Sequence, residues 1–296
     1  MLLVSTRHGA FSSAGRRKVL AVRGAARNRL WTADWRYRML SRMAQGSRDN
    51  PEAPVSIPDT GGLGRARSVL RALWRLAVCC LTVFLILSLL LVMLYRQVPP
   101  PATPLMLLRF AEGYGIRKSW RPLDEISPAL IRAVMAGEDQ RFCLHHGFDW
   151  NAIEMAWEQY QSGSGEVLGA STISMQTAKN VFLWPARDWL RKAFEAYFTA
   201  LIELAWSKKR IIEVYLNVVE WAPGIYGAEG AAEHYFHKPA ARLAPVEAAR
   251  LAAVLPDPLD WSASRPDADV LARSAFILRQ MPRLPVRLPL PCGKRP

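Results

Sequence analysis

Cysteine is scarce in this chain, which has only four among its 296 residues. Cys79 and Cys80 lie together inside an apolar run, whereas Cys143 and Cys292 are far apart in the sequence. Neither arrangement has the spacing of a metal site, and four scattered cysteines do not make the framework of a disulfide-stabilised miniprotein. Cys143 and Cys292 could pair, but the sequence alone does not decide this.

Acidic residues are scarce in the first quarter of the chain. Residues 1–75 contain 15 Lys and Arg against 4 Asp and Glu, whereas residues 76–296 contain 24 against 21. The formal net charge of +14 therefore comes mainly from an N-terminal segment, which argues against the basic face of a nucleic-acid-binding domain. We interpret residues 1–75 as a mostly disordered cytoplasmic arm. Met39 and Met43 remain alternative starts.

Charge is missing altogether between Leu76 and Tyr95. This run of 20 residues matches the length that an α-helix needs to cross a hydrocarbon core about 30 Å thick. Several Arg precede the run and one follows it closely, so the positive-inside rule predicts a single-pass helix over 76–95 with a cytoplasmic N-terminus. The flanking cations are Arg65, Arg67, Arg71, Arg75 and Arg96. A buried core helix is the alternative.

Alternating, strand-like patterns are few after the membrane segment. Residues 96–104 form a proline-rich linker, residues 105–281 form one compact domain of helices joined by loops, and residues 282–296 form a disordered proline-rich tail. The fold class is therefore mostly α. Periodicity and capping residues predict helices over 128–139, 150–161, 172–181, 187–206, 208–218, 227–236, 245–254 and 267–281.

Glu138 continues the apolar stripe of the helix that is predicted to begin at Pro128. Ile131, Val134 and Glu138 share one face of that helix, so the carboxylate faces the core. Such a carboxylate must be partnered or protonated, and this is a usual setting for a general acid or base. The alternative is a structural carboxylate that caps a neighbouring element.

A Gly- and Ser-rich loop over residues 161–169 leads into the next helix. Ser171 or Thr172 can cap that helix, and Gln176 and Lys179 share one of its faces. Free N–H groups and a cation converge there, which predicts a site for an anion. A nucleotide P-loop is excluded because its Gly-x-x-x-x-Gly-Lys-Ser/Thr pattern is missing.

A cluster of cations opens the helix predicted from residue 187. Arg187, Arg191 and Lys192 lie near Glu195, which borders the buried stripe, and such a cluster suits a phosphate-bearing ligand. Alternatively, Arg191 and Glu195 form only a surface salt bridge. The preceding apolar run, residues 181–185, belongs either to the core, which is the default, or to a membrane-facing surface.

Taken in order, these motifs resemble those of the peptidoglycan glycosyltransferases of family 51. The resemblance covers residues 105–281. The matching residues are Glu138, Asp139, Phe142, His145 and Gly147; Gly169, Ser171, Thr172, Ile173, Gln176, Lys179 and Asn180; Arg191, Lys192 and Glu195; Lys208, Ile211, Glu213, Tyr215, Leu216 and Asn217; and, more loosely, Gly224, Gly227 and Glu229. No Ser-x-x-Lys occurs, so the resemblance is to members without a transpeptidase domain. Cys143 falls at a variable position of the first motif, and we interpret it as a filler residue.

The resemblance implies a lysozyme-like, two-lobed fold and an enzyme that polymerises lipid II into β-1,4-linked glycan with inversion. Glu138 is then the general base and Glu195 the second essential acid, while His145 is a structural hydrogen-bonding residue. The expected substrate-binding residues are Ser171, Thr172, Gln176, Lys179, Arg187, Arg191 and Lys192. We weigh against this a lytic glycosidase of the lysozyme type and a non-catalytic cell-wall scaffold.

The resemblance also implies the surroundings of the enzyme. No cofactor is obligatory, although a divalent ion can assist the departure of diphosphate. The expected partners are lipid II, the growing glycan, the bilayer and other cell-wall synthesis or division proteins, with no nucleic acid. The expected location is the bacterial inner membrane, with the catalytic domain in the periplasm. Because a polyprenyl substrate stays in the bilayer, we predict that Phe182, Leu183 and Trp184 touch lipid.

Overall fold

A computed structural model describes residues 61–162, 169–186, 188–284 and 292. The chain divides into two units, Met1–Arg71 and Ala72–Pro296, and only the start of one helix is described in the first unit. The second unit is built almost entirely from helices. The mostly α fold class is therefore confirmed, while the two-lobed, lysozyme-like comparison stays a prediction.

Helix α1 (Gly61–Tyr95) contains the predicted membrane segment. Within the described ranges it is the one helix long and apolar enough to cross a membrane, with a candidate span of Ala66–Tyr95 and a mean hydropathy of 3.0. The helix begins at Gly61, so residues 61–75 are helical and the boundary of the predicted arm is wrong there. Ala, Arg and Leu are good helix formers, which allows the helix to extend before its apolar run. Residues 1–60 of the arm lie outside the described residues.

The eight helices predicted for the domain are confirmed, each within two residues at either end. They are α3 (Pro128–Glu138), α4 (Trp150–Ser162), α5 (Ile173–Phe182), α6 (Trp189–Ala205), α7 (Lys208–Val218), α8 (Gly227–Phe236), α9 (Pro245–Val254) and α10 (Ala268–Gln280). Side-chain oxygens cap several of them: those of Ser127, Thr172, Asp188, Ser207 and Asp267 accept from backbone N–H groups of the first turn. Polar capping residues before apolar periodic runs therefore fixed most of these boundaries.

Helix α2 (Pro104–Ala111) was not predicted, and its first residue belongs to the segment interpreted as a linker. Thr103 caps it by accepting from the Met106 N–H, and Pro104 occupies the first turn, where its missing N–H is tolerated. Met106 is buried, while Leu107 and Phe110 are exposed. Eight residues give too short a periodic pattern to separate from a linker that is rich in proline.

A small three-stranded sheet was also missed. It consists of β1 (Arg117–Lys118), β2 (Glu220–Ala222) and β3 (Ile225–Tyr226) in the order β1-β3-β2. Strand β3 pairs parallel with β1 and antiparallel with β2. Gly224 in the β2–β3 turn has a φ of 72°, and a Cβ there would collide with the Tyr114 carbonyl. Strands of two or three residues carry no period that sequence can show.

The core is assembled from two groups of packed helices. Helix α9 packs against α3 and α10, while α5 packs against α6 and α7. The end of α3 and the beginning of α5 meet through hydrogen bonds between the two groups. The polar residues Glu138, Asp139 and Gln176 therefore lie where these two groups join.

A disulfide joins Cys143, in the loop after α3, to Cys292 near the C-terminus, with their Cα atoms 5.1 Å apart. The interpretation of Cys143 as a filler is therefore wrong, because its side chain bonds a residue 149 positions away. Pro282 and Arg283 of the predicted tail lie in a 3-10 helix, Met281–Arg283, so the tail begins later than predicted. Residues 285–291 and 293–296 lie outside the described residues.

Replacing both Cys143 and Cys292 by Ser should lower the free energy of unfolding by about 2–4 kcal/mol, because a cross-link closing a long loop restricts the unfolded chain. Thermal unfolding with and without a thiol reductant measures this. The reductant should destabilise the wild type and leave the double variant unchanged. Replacing Cys79 and Cys80, which are unpaired and exposed on α1, is the matched control. An unchanged melting temperature of the Cys143/Cys292 variant would contradict the prediction.

Candidate active site

Glu138 is the last residue of α3, and its carboxylate accepts hydrogen bonds from two polar side chains. Arg273 Nη2 on α10 donates to Glu138 Oε1 at 3.0 Å, and Gln176 Nε2 on α5 donates to Glu138 Oε2 at 2.8 Å. Only 12% of the Glu138 side chain is exposed. A guanidinium and an amide therefore meet the requirement that a carboxylate on an apolar face be partnered.

The orientation of Gln176 is fixed from its other side. Tyr215 Oη on α7 donates to Gln176 Oε1 at 3.1 Å, so the amide nitrogen is the end that faces Glu138. Burial raises the pKa of Tyr215 well above its usual value, and the hydroxyl therefore keeps its proton and acts as a donor. Four side chains from four helices thus form one chain of hydrogen bonds, from Tyr215 through Gln176 and Glu138 to Arg273.

Asp139 holds the loop that follows Glu138. Both of its oxygens lie 3.0 Å from His145 Nε2, and one also accepts from the Ile173 N–H at 2.9 Å. His145 Nδ1 accepts from the Gly147 N–H, so Nε2 carries the ring proton that is donated to Asp139. These contacts agree with the structural role expected for His145.

Thr172 and Ser171 differ although both were expected to bind substrate. Thr172 is buried, caps α5 through the Met175 N–H and donates its one hydroxyl proton to the Gly147 carbonyl at 2.6 Å. Ser171 is exposed. The structure therefore gives Thr172 a bracing role, and the substrate contacts of both residues stay predictions.

Two cavities flank the Glu138–Gln176 hydrogen bond. The first, called the Glu138 cavity, has a volume of about 450 Å³ and is lined by Glu138, Ser171, Thr172, Arg273 and Asp149 among others. The second, called the Lys179 cavity, has a volume of about 410 Å³ and is lined by Gln176, Lys179, Asn180, Arg191 and Arg109 among others. Because Gln176 lines one cavity and bonds a residue that lines the other, the two adjoin at this pair.

Lys179 carries a desolvated ammonium at the wall of its cavity. Burial lowers the pKa of Lys179, and the neighbouring charges of Arg191 and Lys192 lower it further against the opposing effect of Glu195. Within the part of the chain that the structure describes, no hydrogen-bond or ion-pair partner contacts Lys179 Nζ. A partly buried cation without a partner favours binding of an anion, because the anion replaces the water that the cation has lost.

Glu195 on α6 lies next to these cations and is only 3% exposed. Arg191 Nη1 donates to one of its oxygens at 2.6 Å, and Lys192 Nζ donates to the other. The salt bridge between Arg191 and Glu195, which the sequence left open as the alternative, therefore exists. Its carboxylate is buried rather than on the surface. Arg191 also lines the Lys179 cavity, so Glu195 orients a cation that faces it. Arg187 lies outside the described residues.

Two cations of the site were missed by sequence reasoning. Arg273 adjoins the buried stripe of α10, formed by Val270, Ser274 and Ile277, but an Arg beside an apolar stripe is too common to single out. Arg109 on α2 lines the Lys179 cavity and is held by Glu112 at 2.7 Å and by Glu220 at 3.5 Å. Neither residue belongs to a motif identified in the sequence.

The prediction that residues 182–184 touch lipid needs correction. Leu183 is only 4% exposed, and the Phe182 ring stacks on Phe198 with centroids 4.6 Å apart. Trp184 alone of the three is exposed. Leu183 and most of Phe182 are therefore buried in the core, in line with the default interpretation of this run as core.

A partnered carboxylate beside a cavity lined by cations has the groups needed to activate a hydroxyl and to stabilise a departing anion. The family model described as Transglycosylase matches residues 106–282. A protein of Rhodospirillum centenum named biosynthetic peptidoglycan transglycosylase is 58% identical to this chain over 199 residues. Proteins of the same name from Caulobacter vibrioides and Ectopseudomonas mendocina are 54% identical over 186 residues and 51% identical over 222 residues. These alignments cover 66%, 63% and 73% of this chain and 86%, 81% and 91% of the relatives. The chain belongs to the transglycosylase family and is a peptidoglycan glycosyltransferase.

Replacing Tyr215 by Phe should lower kcat/KM about fivefold, because Gln176 loses the donor that fixes its amide and can turn its oxygen towards Glu138. A lost buried hydrogen bond of about 1 kcal/mol has this magnitude. Tyr235→Phe is the matched control, since Tyr235 is also buried and donates to the Trp221 carbonyl away from both cavities. Both variants should lose similar stability in thermal unfolding. Equal kcat/KM values for the two variants would contradict the orienting role of Tyr215.

Proposed function

We propose that this enzyme polymerises lipid II into β-1,4-linked glycan strands with inversion and release of polyprenyl diphosphate. The observation that carries the proposal is the hydrogen bond between Glu138 and Gln176, which links a carboxylate to a cavity lined by Lys179 and Arg191. A base and an anion site that adjoin in this way suit a displacement in which a hydroxyl attacks and a diphosphate leaves.

Glu138 is the general base of this proposal. It removes the proton from the 4-hydroxyl of the acceptor N-acetylglucosamine, and the oxygen attacks the anomeric carbon of the donor N-acetylmuramic acid. The bond from that carbon to the diphosphate breaks, and the diphosphate leaves with the electron pair. Arg273 and Gln176 support this role because each holds one carboxylate oxygen in place.

The cations near Glu195 stabilise the leaving group. Lys179 and Arg191 line one cavity, and Glu195 holds Arg191 and Lys192 in place, so these charges need little reorganisation as the diphosphate departs. Arg187 is proposed to join them on the strength of its motif alone. Ser171 and Gln176 are proposed to line the path of the donor between the two cavities.

Cofactor independence is part of the proposal, with a divalent ion as an aid to diphosphate departure. Within the described ranges, no group of three or more His, Cys, Asp or Glu side chains is placed to hold a metal. The oxygens of Glu195 are engaged by Arg191 and Lys192. A divalent ion would therefore be held chiefly by the substrate diphosphate, whose oxygens it prefers as ligands.

The topology proposed is a single-pass inner-membrane protein with a periplasmic catalytic domain. Four arginines lie within about a dozen residues before Leu76, whereas only Arg96 follows Tyr95 as closely, and this asymmetry supports a cytoplasmic N-terminus. The Cys143–Cys292 disulfide supports the same orientation, because disulfides form and persist in the periplasm rather than in the cytosol. Association with other proteins of cell-wall synthesis or division is proposed from the family resemblance.

Glu138→Gln should abolish polymer formation from fluorescent lipid II in bilayers, because the amide cannot accept the hydroxyl proton. Glu154→Gln, an exposed acid on α4, is the control and should leave the rate unchanged. Polymer of normal length from Glu138→Gln would remove Glu138 as the base. Release of soluble fragments from purified cell-wall sacculi by the wild type would instead favour a lytic glycosidase.

The fall of kcat/KM at alkaline pH, called the alkaline limb, should report on the loss of the Lys179 proton. Its pKa is lowered by burial, so the ammonium loses its proton at a lower pH than an ordinary lysine, and diphosphate binding weakens as pH rises through that value. Lys179→Arg keeps the charge and should move the limb to higher pH, whereas Lys209→Arg, at an exposed position, should not. Identical limbs in all three proteins would exclude Lys179 as the titrating group.

A further inference from the structure

Helix α4 presents aromatic side chains that the rest of the domain leaves uncovered. Trp150, Trp157 and Tyr160 are 70%, 60% and 68% exposed, and only Ala156 of this helix is buried. Their spacing along the sequence places the three on one side of the helix, called here the aromatic face. The rings of Trp157 and Tyr160 stack with centroids 6.0 Å apart, and the face lines a groove of about 640 Å³. Apolar side chains that are exposed together in this way mark a binding surface.

The aromatic face continues directly from the Glu138 cavity. Ala170, in the segment before α5, lines both the cavity and the groove. Ala152 and Met155 line the cavity from the neighbouring stripe of α4. Helix α4 is therefore a wall between the two spaces, and a long ligand that leaves the cavity over Ala170 reaches the aromatic face.

The charge of α4 indicates what kind of ligand the face accepts. The helix contains Glu154 and Glu158 but no Lys or Arg, and Glu154 lines the groove. Helices that lie on a bilayer are rich in Lys and Arg beside their apolar side, because these cations are attracted to anionic lipids. Two carboxylates also disfavour a diphosphate, which has charge of the same sign. A neutral ligand with many hydroxyl groups fits better, because hydroxyls can donate to a carboxylate.

We propose that the aromatic face of α4 binds the sugar rings of the glycan strand that this enzyme elongates. A sugar ring has C–H groups on its flat sides, which stack on the electron-rich face of an aromatic ring, while its hydroxyls bind polar groups at the rim. Trp150 and Trp157 are about 10 Å apart along the helix axis, so they contact different rings of one strand. This inference rests on the proposed function, since it takes the product of that reaction as the ligand.

Binding of this kind has a consequence for repeated coupling. A strand that stays on α4 between couplings keeps its reactive end near Glu138, which raises the effective concentration of that end above the concentration of free strands. Successive repeats of the strand present the same C–H groups to the aromatic rings. The strand can therefore advance by one repeat and make the same contacts again. The aromatic face thus favours long strands rather than a faster first coupling.

Two replacements of Trp157 separate a sugar ligand from an apolar one. Trp157→Tyr keeps a flat aromatic ring, whereas Trp157→Leu keeps only the apolar surface. Trp157 is exposed and lines the groove but not the Glu138 cavity, so neither change should disturb folding or the proposed base. Binding of glycan oligosaccharides free of lipid and peptide is measured by calorimetry with the full-length protein in detergent. Strand length and initial rate are measured with fluorescent lipid II, in detergent and in bilayers.

Trp157→Leu should bind the oligosaccharides about three- to tenfold more weakly and make shorter strands at an unchanged initial rate, whereas Trp157→Tyr should resemble the wild type. Equal binding and equal strand lengths in all three proteins would overturn the glycan site, although polymer formation would still support the proposed function. Loss of activity by Trp157→Leu in bilayers alone, with oligosaccharide binding unchanged, would identify a lipid contact and also overturn the glycan site. A wild type that makes no polymer would instead overturn the proposed function, and the titration would then decide the glycan site by itself.

Discussion

The hydrogen bonds around Glu138 are the interaction on which the catalytic arrangement depends. Arg273 and Gln176 each engage one carboxylate oxygen, and Tyr215 fixes the amide that reaches it. These four side chains come from α10, α3, α5 and α7, so the carboxylate proposed as the base is held in place by four helices of the domain. A carboxylate supported in this way does not need to reorient when a hydroxyl arrives, and preorganisation of this kind accounts for much of the power of an enzyme.

The two acids of the site are used in opposite ways. Glu138 has one cation and one neutral amide as partners, so a lone pair remains for a substrate proton at the edge of a cavity. Glu195 has a cation on each oxygen and is almost fully buried, so both of its oxygens are occupied by protein partners. In the proposed mechanism the same residue type thus serves as a base in one place and as an anchor for cations in the other.

Local features of this fold could be predicted from sequence, whereas pairings between distant residues could not. Helix ends followed from caps such as Ser127 and Asp267, because a cap acts on the turn next to it. Arg273 lies 135 residues from Glu138, and no motif links the two. Cys143 and Cys292 were recognised only as candidates to pair, since sequence does not encode distance. Leu183 faces the core because of how α5 packs on α6, which an apolar run alone does not determine.

Lys179 shows how the proposed diphosphate site would benefit from a nearby membrane. Its ammonium is desolvated by the protein and has no partner among the described residues, so the free energy of binding an anion is not offset by breaking an existing ion pair. A low-dielectric surrounding strengthens that attraction further. A bilayer beside the cavity would exclude water from the same region, and the lipid tail of the substrate would anchor the diphosphate there. Desolvation of the cation and retention of the tail therefore favour the same position for the site.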